Sequence, residues 1–200
     1  MKLSIITPCS RPHNLPIIYN SILSLNTDNV EWLVIFDSDE IDNRIMMYQE
    51  NIPIRLFNIR RGYGKGGTQR NYGLDYCSGD WIYYLDDDNL IHSELYNKIL
   101  SYGKNENILL FNQFSPQNKK RIKVFNTDII TIPGCIDTAQ MVIPKKYKNF
   151  RWFDEPETIV YEETKYLNNI IKIVGIDNIR WVDRVYTFRN YLRRFELDSL

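Results

Sequence analysis

Three consecutive carboxylates, Asp86-Asp87-Asp88, close an apolar run of Trp81, Ile82, Tyr83, Tyr84 and Leu85. In an extended backbone residues 86 and 88 share one side while 87 points away. Two carboxylates on one side, with few cations beside them, repel each other unless a divalent cation lies between. An all-oxygen donor set suits Mg²⁺ or Mn²⁺, and Mg²⁺ usually takes one or two carboxylates together with substrate phosphates. Taken alone, such a triplet reads as a solvated acidic turn. Its place at a strand end, downstream of a basic glycine loop, favours the metal. An EF-hand is excluded, because the glycine that loop requires falls at Ile91.

The glycine loop runs Gly62-Tyr63-Gly64-Lys65-Gly66-Gly67, and the stretch 60–70 carries Arg60, Arg61, Lys65 and Arg70 with no acid. Glycines let a backbone approach a ligand closely, and surrounding cations make a diphosphate the natural guest. The same glycines spell a formal G-x-G-x-x-G (Gly62, Gly64, Gly67), with Asp86 near the acidic position of a dinucleotide fingerprint. NAD or NADP binding is therefore the alternative reading. It is weakened because Arg60 and Arg61 separate the strand from the first glycine, and because this is the third βα unit. Lys65 equally fits a solvated loop, whereas Arg70 and Asn71 open a helix that would hold them in place.

A second acidic run contains Asp154, Glu155, Glu157, Glu162 and Glu163; by itself it reads as a solvated helix face. Trp152 just before it could stack on a sugar ring or pack in the core. His92 could add a metal or phosphate contact, but a helix-start role beside Ser93 as cap is the better reading. The two histidines give no Ser-His-Asp spacing. Cys9, Cys77 and Cys135 lie too far apart for a C-x-x-C pair and read as buried thiols in a reducing compartment.

These groups need elements to position them. Residues 3–7 and 31–36 read as buried strands, 54–59 as a third, and 80–85 as a fourth. Helices are expected after Asn14 (apolar face Leu15, Ile18, Ile22, Leu25), around 42–49, and over 68–77. Strands alternating with helices imply βαβ units and a mainly parallel sheet, whose ligands bind beyond the carboxyl ends of the strands. Thr7-Pro8, Asp37 with Asp39, the basic glycine loop and Asp86 to Asn89 all fall there. The second half is less regular: strands at 107–114, 121–125, 128–132 and 138–143, a helix from Pro156 to about Asn169, and a closing hairpin of 170–174 with 179–183.

Length and composition bound the rest. The 200 residues, 44% hydrophobic and 25% charged, are enough for one core without disulfides. A formal net charge of +0 argues against a general nucleic-acid or membrane-surface binder. No apolar run approaches the ~18 residues of a membrane span, and residues 2–6 are too short for a signal-peptide core. The expectation is one cytoplasmic domain over 1–200, with a ligand-binding half at 1–105 and a second half at 106–200.

Several spaced segments together resemble the GT-A nucleotide-sugar glycosyltransferases of the family 2-like group. They are Ile5-Ile6-Thr7-Pro8, Leu33 through Asp39, Gly66-Gly67-Thr68-Gln69-Arg70-Asn71-Tyr72-Gly73-Leu74, and Gly79 through Asp88. The small size is also similar to the minimal glycosyltransferase domains of large algal viruses. The resemblance implies a Rossmann-like, mainly parallel sheet flanked by helices, with a smaller irregular or antiparallel acceptor side. It implies a nucleoside-diphosphate sugar donor, most often a UDP-sugar, a glycan or other hydroxyl acceptor, and a Mn²⁺ or Mg²⁺ cofactor. Thr7 and Pro8 would line the base, Asp37 would bond the uracil edge, and Arg70 would help hold the pyrophosphate or base. Arg11, Asp39, Lys65, Gly66, Asn71 and Asp87 complete the donor-binding set, Asp86 and Asp88 reach ribose and metal, and Trp152 and Asp154 fall on the acceptor side. The family's base is an acid in an E-D-like pair at a helix start. Here the pair is Glu162-Glu163, with Glu163 preferred, and the reaction would be inverting. A sugar-phosphate nucleotidyltransferase would need a glycine-rich loop where Thr7-Pro8-Cys9-Ser10-Arg11 stands, and a non-catalytic carbohydrate-binding remnant is the third alternative.

Overall fold

Leu3–Cys9 (β1) contains no charge, and all but one of its residues are buried, the pattern of a strand covered on both faces. The computed structural model describes residues 1–26, 28–38, 41–59, 66–102, 107–122, 136–153 and 161–193. The other strands described are β2 (Val30–Phe36), β3 (Ile54–Asn58), β4 (Trp81–Tyr84), β5 (Leu90–Ile91), β6 (Ile108–Ser115), β7 (Lys120–Ile122), β8 (Met141–Pro144) and β9 (Ile179–Phe188). The helices are α1 (Leu15–Leu23), α2 (Gly67–Tyr76), α3 (Leu95–Ser101) and α4 (Glu162–Val174).

All nine described strands join one sheet in the order β3-β2-β1-β4-β8-β6-β9-β5, with β7 paired to β6. The first four are parallel. Strand β8 runs antiparallel to both β4 and β6, and β9 is parallel to β6. Two reversals restore direction, so β6 and β9 end on the same edge as β1, β2 and β4, and β8 begins there. Alternating side chains divide the core. Ile5, Trp32, Val34 and Tyr83 pack with α1 and α3 on one face, and Ile6, Leu33, Ile35, Ile82 and Tyr84 pack with α2 and α4 on the other. This is a three-layer α/β architecture with an antiparallel extension, as expected.

Local readings fared unevenly. The segment expected as a helix around 42–49 is a 3₁₀ turn, Asn43–Tyr48. The strand read at 138–143 begins as a 3₁₀ turn, Thr138–Gln140, before β8. Residues 123–135, which include the strand read at 128–132 and Cys135, lie outside the described residues, as do 154–160 at the expected start of the fourth helix. The closing hairpin is overturned. Residues 170–174 continue α4, because Tyr166, Leu167 and Ile170 recur at helical spacing and are buried, and the β-branched run there follows the packing. Gly175 then ends the helix at φ 81°, and β9 pairs with β6 and β5. Cys9 and Cys77 are free, buried thiols.

Candidate active site

A cavity of about 480 Å³ opens on the edge where β1, β2, β4, β6 and β9 end and β8 begins. Pro8, Ser10 and Arg11 reach it from β1, Asp37 from β2, and Asp86 to Asp88 from β4. Gly66, Gln69 and Arg70 arrive on the start of α2, Glu163 on the start of α4, Asp137 on the approach to β8, and Arg189, Asn190 and Arg193 on the turn after β9. Its lining includes six carboxylates (Asp37, Asp86, Asp87, Asp88, Asp137, Glu163) and four guanidiniums. A wall with more anions than cations would hold an added cation with a negatively charged ligand.

The carboxylate triplet is not extended. Asn89 N donates to Asp86 O at 3.1 Å, so the chain turns, and the strand alternation expected for 86, 87 and 88 does not apply. Asp86 Oδ1 accepts from Arg70 Nη2 at 2.7 Å. Asp88 Oδ2 accepts from Arg193 Nε at 2.5 Å and lies 3.7 Å from Arg11 Nη1. Burial, reinforced by Asp86, pushes the Asp88 carboxyl up to about 6 although Arg193 opposes the rise. Asp87 is turned onto the loop after β1. It accepts from Ser10 N at 2.6 Å, Ser10 Oγ at 3.0 Å, Arg11 N at 2.7 Å and Arg11 Nη1 at 2.8 Å. Its carboxylate thus shapes the wall, and Asn14 Nδ2 donates to its carbonyl at 2.9 Å rather than capping α1.

Arg70 is almost fully buried. Besides Asp86, its Nη1 donates to Glu162 Oε1 at 3.2 Å, and its guanidinium lies 4.7 Å from the Trp152 ring centroid. One guanidinium facing two carboxylates compensates neither fully, and burial carries the Glu162 carboxyl up to about 7 against the pull of Arg70. Burial also raises the Glu163 carboxyl, again opposed by Arg70. The neighbours differ in where they face: Glu163 lines the cavity, whereas Glu162 sits behind it with 1% of its surface exposed. Both stand in the first turn of α4, where the positive end of the helix dipole favours acids.

Among the residues expected at the site, Pro8, Arg11, Asp37, Gly66, Arg70, Asp86, Asp87, Asp88 and Glu163 share this cavity. Others face elsewhere. Thr7 is fully buried and its Oγ1 accepts from Trp32 Nε1 at 2.8 Å, so only its backbone is near the edge. Asn71 clamps the Trp152 backbone, donating to its carbonyl at 2.9 Å and accepting from its N–H at 2.8 Å. Trp152 stacks on Tyr166 at 4.1 Å and is core, not an acceptor wall. His92 packs on Tyr186 and Phe188, and its Nδ1 accepts from Glu94 N, so it, and not Ser93, serves the start of α3. Asp39, Lys65 and Asp154 lie outside the described residues. The sequence reading missed Gln69, Asp137, Arg189, Asn190 and Arg193; an arginine-rich stretch after the final strand was the one signal for the last three.

The profile of glycosyl transferase family 2 matches residues 4–161. The chain belongs to glycosyl transferase family 2. It is 25% identical over 163 residues to the minor teichoic acid biosynthesis protein GgaB of Bacillus subtilis (strain 168), covering 79% of this chain and 16% of that protein. It is 24% identical over 127 residues to the poly(ribitol-phosphate) beta-N-acetylglucosaminyltransferase TarP of Staphylococcus aureus (strain N315), covering 60% of this chain and 38% of TarP. In fold it matches S. aureus TarS 1–349 in complex with UDP at a TM-score of 0.73 and 16% identity, over 94% of this chain and 60% of that one. The mannosyltransferase PcManGT from Pyrobaculum calidifontis, in complex with GDP-Man and Mn2+, matches at 0.65 and 10% identity, over 92% and 55%. The family 2 chain therefore spans less than two thirds of each of these proteins. Membership leaves the dinucleotide-oxidoreductase reading unsupported. No described helix is long and apolar enough to cross a membrane.

A divalent cation fits the donor set. Asp86 and Asp88 offer oxygen ligands on one cavity wall, where six carboxylates face four guanidiniums. Among the described residues no group of three or more His, Cys, Asp or Glu forms a complete cage. Two carboxylates completed by ligand phosphates and water are the arrangement Mg²⁺ commonly accepts, and Mn²⁺ takes the same oxygen donors.

Proposed function

We propose that the chain transfers a sugar from a nucleoside-diphosphate sugar, most simply a UDP-sugar, to a hydroxyl of a glycan or polyol-phosphate acceptor, with inversion. The observation that carries this is Glu163 facing the same cavity as Asp37, Arg70, Asp86 and Asp88. The complexes of TarS with UDP and UDP-GlcNAc, and the poly(ribitol-phosphate) N-acetylglucosaminyltransferase activity for which TarP is named, support the choice of donor and acceptor.

In this reading the nucleoside lies over the ends of β1 and β2, between Pro8 and Asp37, and the diphosphate at the end of β4. Asp86 and Asp88 would hold the cation, which when bound supplies positive charge opposite the leaving diphosphate. Arg11 and Arg193 add fixed positive charge at the same place, where charge grows as the bond to the sugar breaks. The Glu163 carboxylate takes the proton of the acceptor hydroxyl as that oxygen attacks the anomeric carbon. The bond from the anomeric carbon to the diphosphate oxygen breaks, and its electron pair leaves with the nucleoside diphosphate. One displacement needs one base and no covalent nucleophile.

Calorimetric titration of the whole chain with UDP in the presence of Mn²⁺, followed by assay of donor turnover, tests this. Binding of UDP together with acceptor-dependent release of UDP from a UDP-sugar is expected. A thermal shift with NAD or NADP and none with UDP plus Mn²⁺ would overturn it, and UDP binding without turnover would leave only a carbohydrate-binding module.

A further inference from the structure

We infer that the side-chain amide of Gln69 selects the nucleobase of the donor, acting with Asp37 to recognise a ring N–H beside a carbonyl, the edge that uracil presents. The inference rests on the nucleotide-sugar reading above and deepens it by naming the residue that selects the base. Helix α2 works as a protractor laid across the parallel strands. Each residue turns ~100° from the last, and the contacts around the helix follow the strand order β3-β2-β1-β4. Tyr72 and Tyr76 face Phe57 on β3, with ring centroids 5.3 and 5.1 Å away. Gly73 lies against Ile6 of β1, where an added Cβ would stand 2.5 Å from Cγ2. Arg70 reaches Asp86, beyond β4, at 2.7 Å. Gln69, three residues before Tyr72 and four before Gly73, points between β3 and β1, which is the direction of β2. It stands in the first turn of α2, at the binding edge, and it lines the same cavity as Asp37, the residue that follows β2.

The chemistry of the two side chains is complementary. An ionised carboxylate only accepts, whereas a glutamine amide offers two N–H donors and one acceptor oxygen. On uracil the N3–H stands between two carbonyls. A site that takes this N–H on Asp37 needs a donor for the carbonyl next to it, and Gln69 is the neutral donor on that side of the cavity. Cytosine reverses the pattern, with a bare ring nitrogen beside an amine. The amide of Gln69 can turn to suit it, but the carboxylate of Asp37 cannot become a donor without a proton. The pair therefore favours uracil.

A second observation, independent of that chemistry, is that Gln69 lacks the partner a buried amide requires. It is 2% exposed, yet its Oε1 is buried with no hydrogen-bond partner among the described residues. Native interiors pair nearly all their polar atoms, and one left unpaired opposes folding. An apolar side chain of similar length would fill the same space without that penalty. An amide at the cavity wall, free to turn about its terminal bond, is satisfied when a guest with a polar edge arrives.

The test measures dissociation constants by calorimetry with Mn²⁺ for UDP, 4-thio-UDP, 2-thio-UDP and CDP, in the wild type, Gln69→Leu and Gln69→Met. Sulfur keeps the shape of the base and weakens one carbonyl as an acceptor, so the comparison isolates a single ligand atom. UDP should bind roughly tenfold more weakly to both variants, and the gap between UDP and CDP should narrow. One of the two thio substitutions should weaken binding to the wild type and make no difference in the variants. Thermal unfolding of the ligand-free proteins should show a Tm unchanged or raised, because the variants remove an unpaired buried atom. A Tm lowered in both variants, or failure of both to fold, would make Gln69 a structural residue and overturn the assignment. Thio penalties that do not depend on residue 69 overturn it while the nucleotide reading stands. A wild type that binds no UDP sinks both.

Discussion

Adjacent glutamates at the head of α4 carry the same chemistry and meet different surroundings. Glu162 is sealed against Arg70 at 3.2 Å, so protonating or replacing it disturbs packing and the placement of Asp86 through the shared guanidinium. Glu163 faces the cavity, and burial raises its carboxyl above the ordinary range while leaving it within reach of a ligand. A base acts in its ionised form, so a raised value means that activity falls as pH drops through a point above the usual glutamate pKa of 4.5. Glu163→Gln should lower kcat by roughly 10²–10⁴-fold and abolish that acid limb, with the donor Kd little changed. Glu162→Gln should keep the limb and show its loss mainly in donor KM. Steady-state kinetics across pH 5–9 separates the two, and transfer surviving in Glu163→Gln but lost in Glu162→Gln would make the neighbour the base.

At the scale of elements, Glu163, the base in the proposed reaction, is positioned by a unit of three pieces: the start of α2, the strap at 151–153 and the start of α4. Asn71 clamps the Trp152 backbone from α2, Trp152 stacks on Tyr166 of α4, and Arg70 lies over the indole. The pieces meet most closely at Gly67, where an added Cβ would stand 2.5 Å from the Phe153 carbonyl oxygen and 3.3 Å from Glu162 Oε2. The first contact is with backbone, so the strap must move. Gly67→Ala should therefore cost about 1–3 kcal/mol and displace Glu163 relative to the donor, seen as a lowered Tm together with a fall in kcat. Gly66 beside it has φ 100°, so an alanine there is strained whatever the space. A Gly67→Ala protein with unchanged Tm and kcat would show that this contact does not position the helix. The sequence displayed these glycines as a phosphate cradle. Close packing of α2 on the strap is a constraint that no local pattern reveals.

Across the whole molecule, the legible half was the one built from local βαβ units. Apolar runs gave β1 to β4, and polar residues at their ends marked the binding edge, because in parallel sheets strand interiors and strand ends differ sharply in composition. The second half is assembled by long-range pairing. Strand β9 joins β6 some seventy residues earlier, and Arg193 reaches Asp88 across a separation of 105 residues. Asp137 therefore carried no local signature and the arginines after β9 only their clustering, and a strand-end side chain such as Thr7 can turn inward without changing the pattern. The same long-range logic places one buried acid at the centre of stability. Glu31, inside β2 and 4% exposed, accepts from Ser4 Oγ on β1 at 2.5 Å, Ser78 N and Oγ at 2.6 and 2.9 Å, and Lys2 Nζ at 3.0 Å. Burial alone would raise its carboxyl, but the hydrogen bonds from Ser4, Ser78 and Lys2 hold it down to about 2. Because the folded value lies below the unfolded one of 4.5, this stabilisation is full above that pH and is lost as pH falls towards 2. The difference corresponds to about 3 kcal/mol, or roughly 6–12 °C in Tm for a domain of this size. Glu31→Gln should show most of that deficit at pH 7, and the gap from wild type should close steadily below pH 4.5. A deficit in Tm that stays constant between pH 7 and 3 would assign the effect to lost packing instead of the charge.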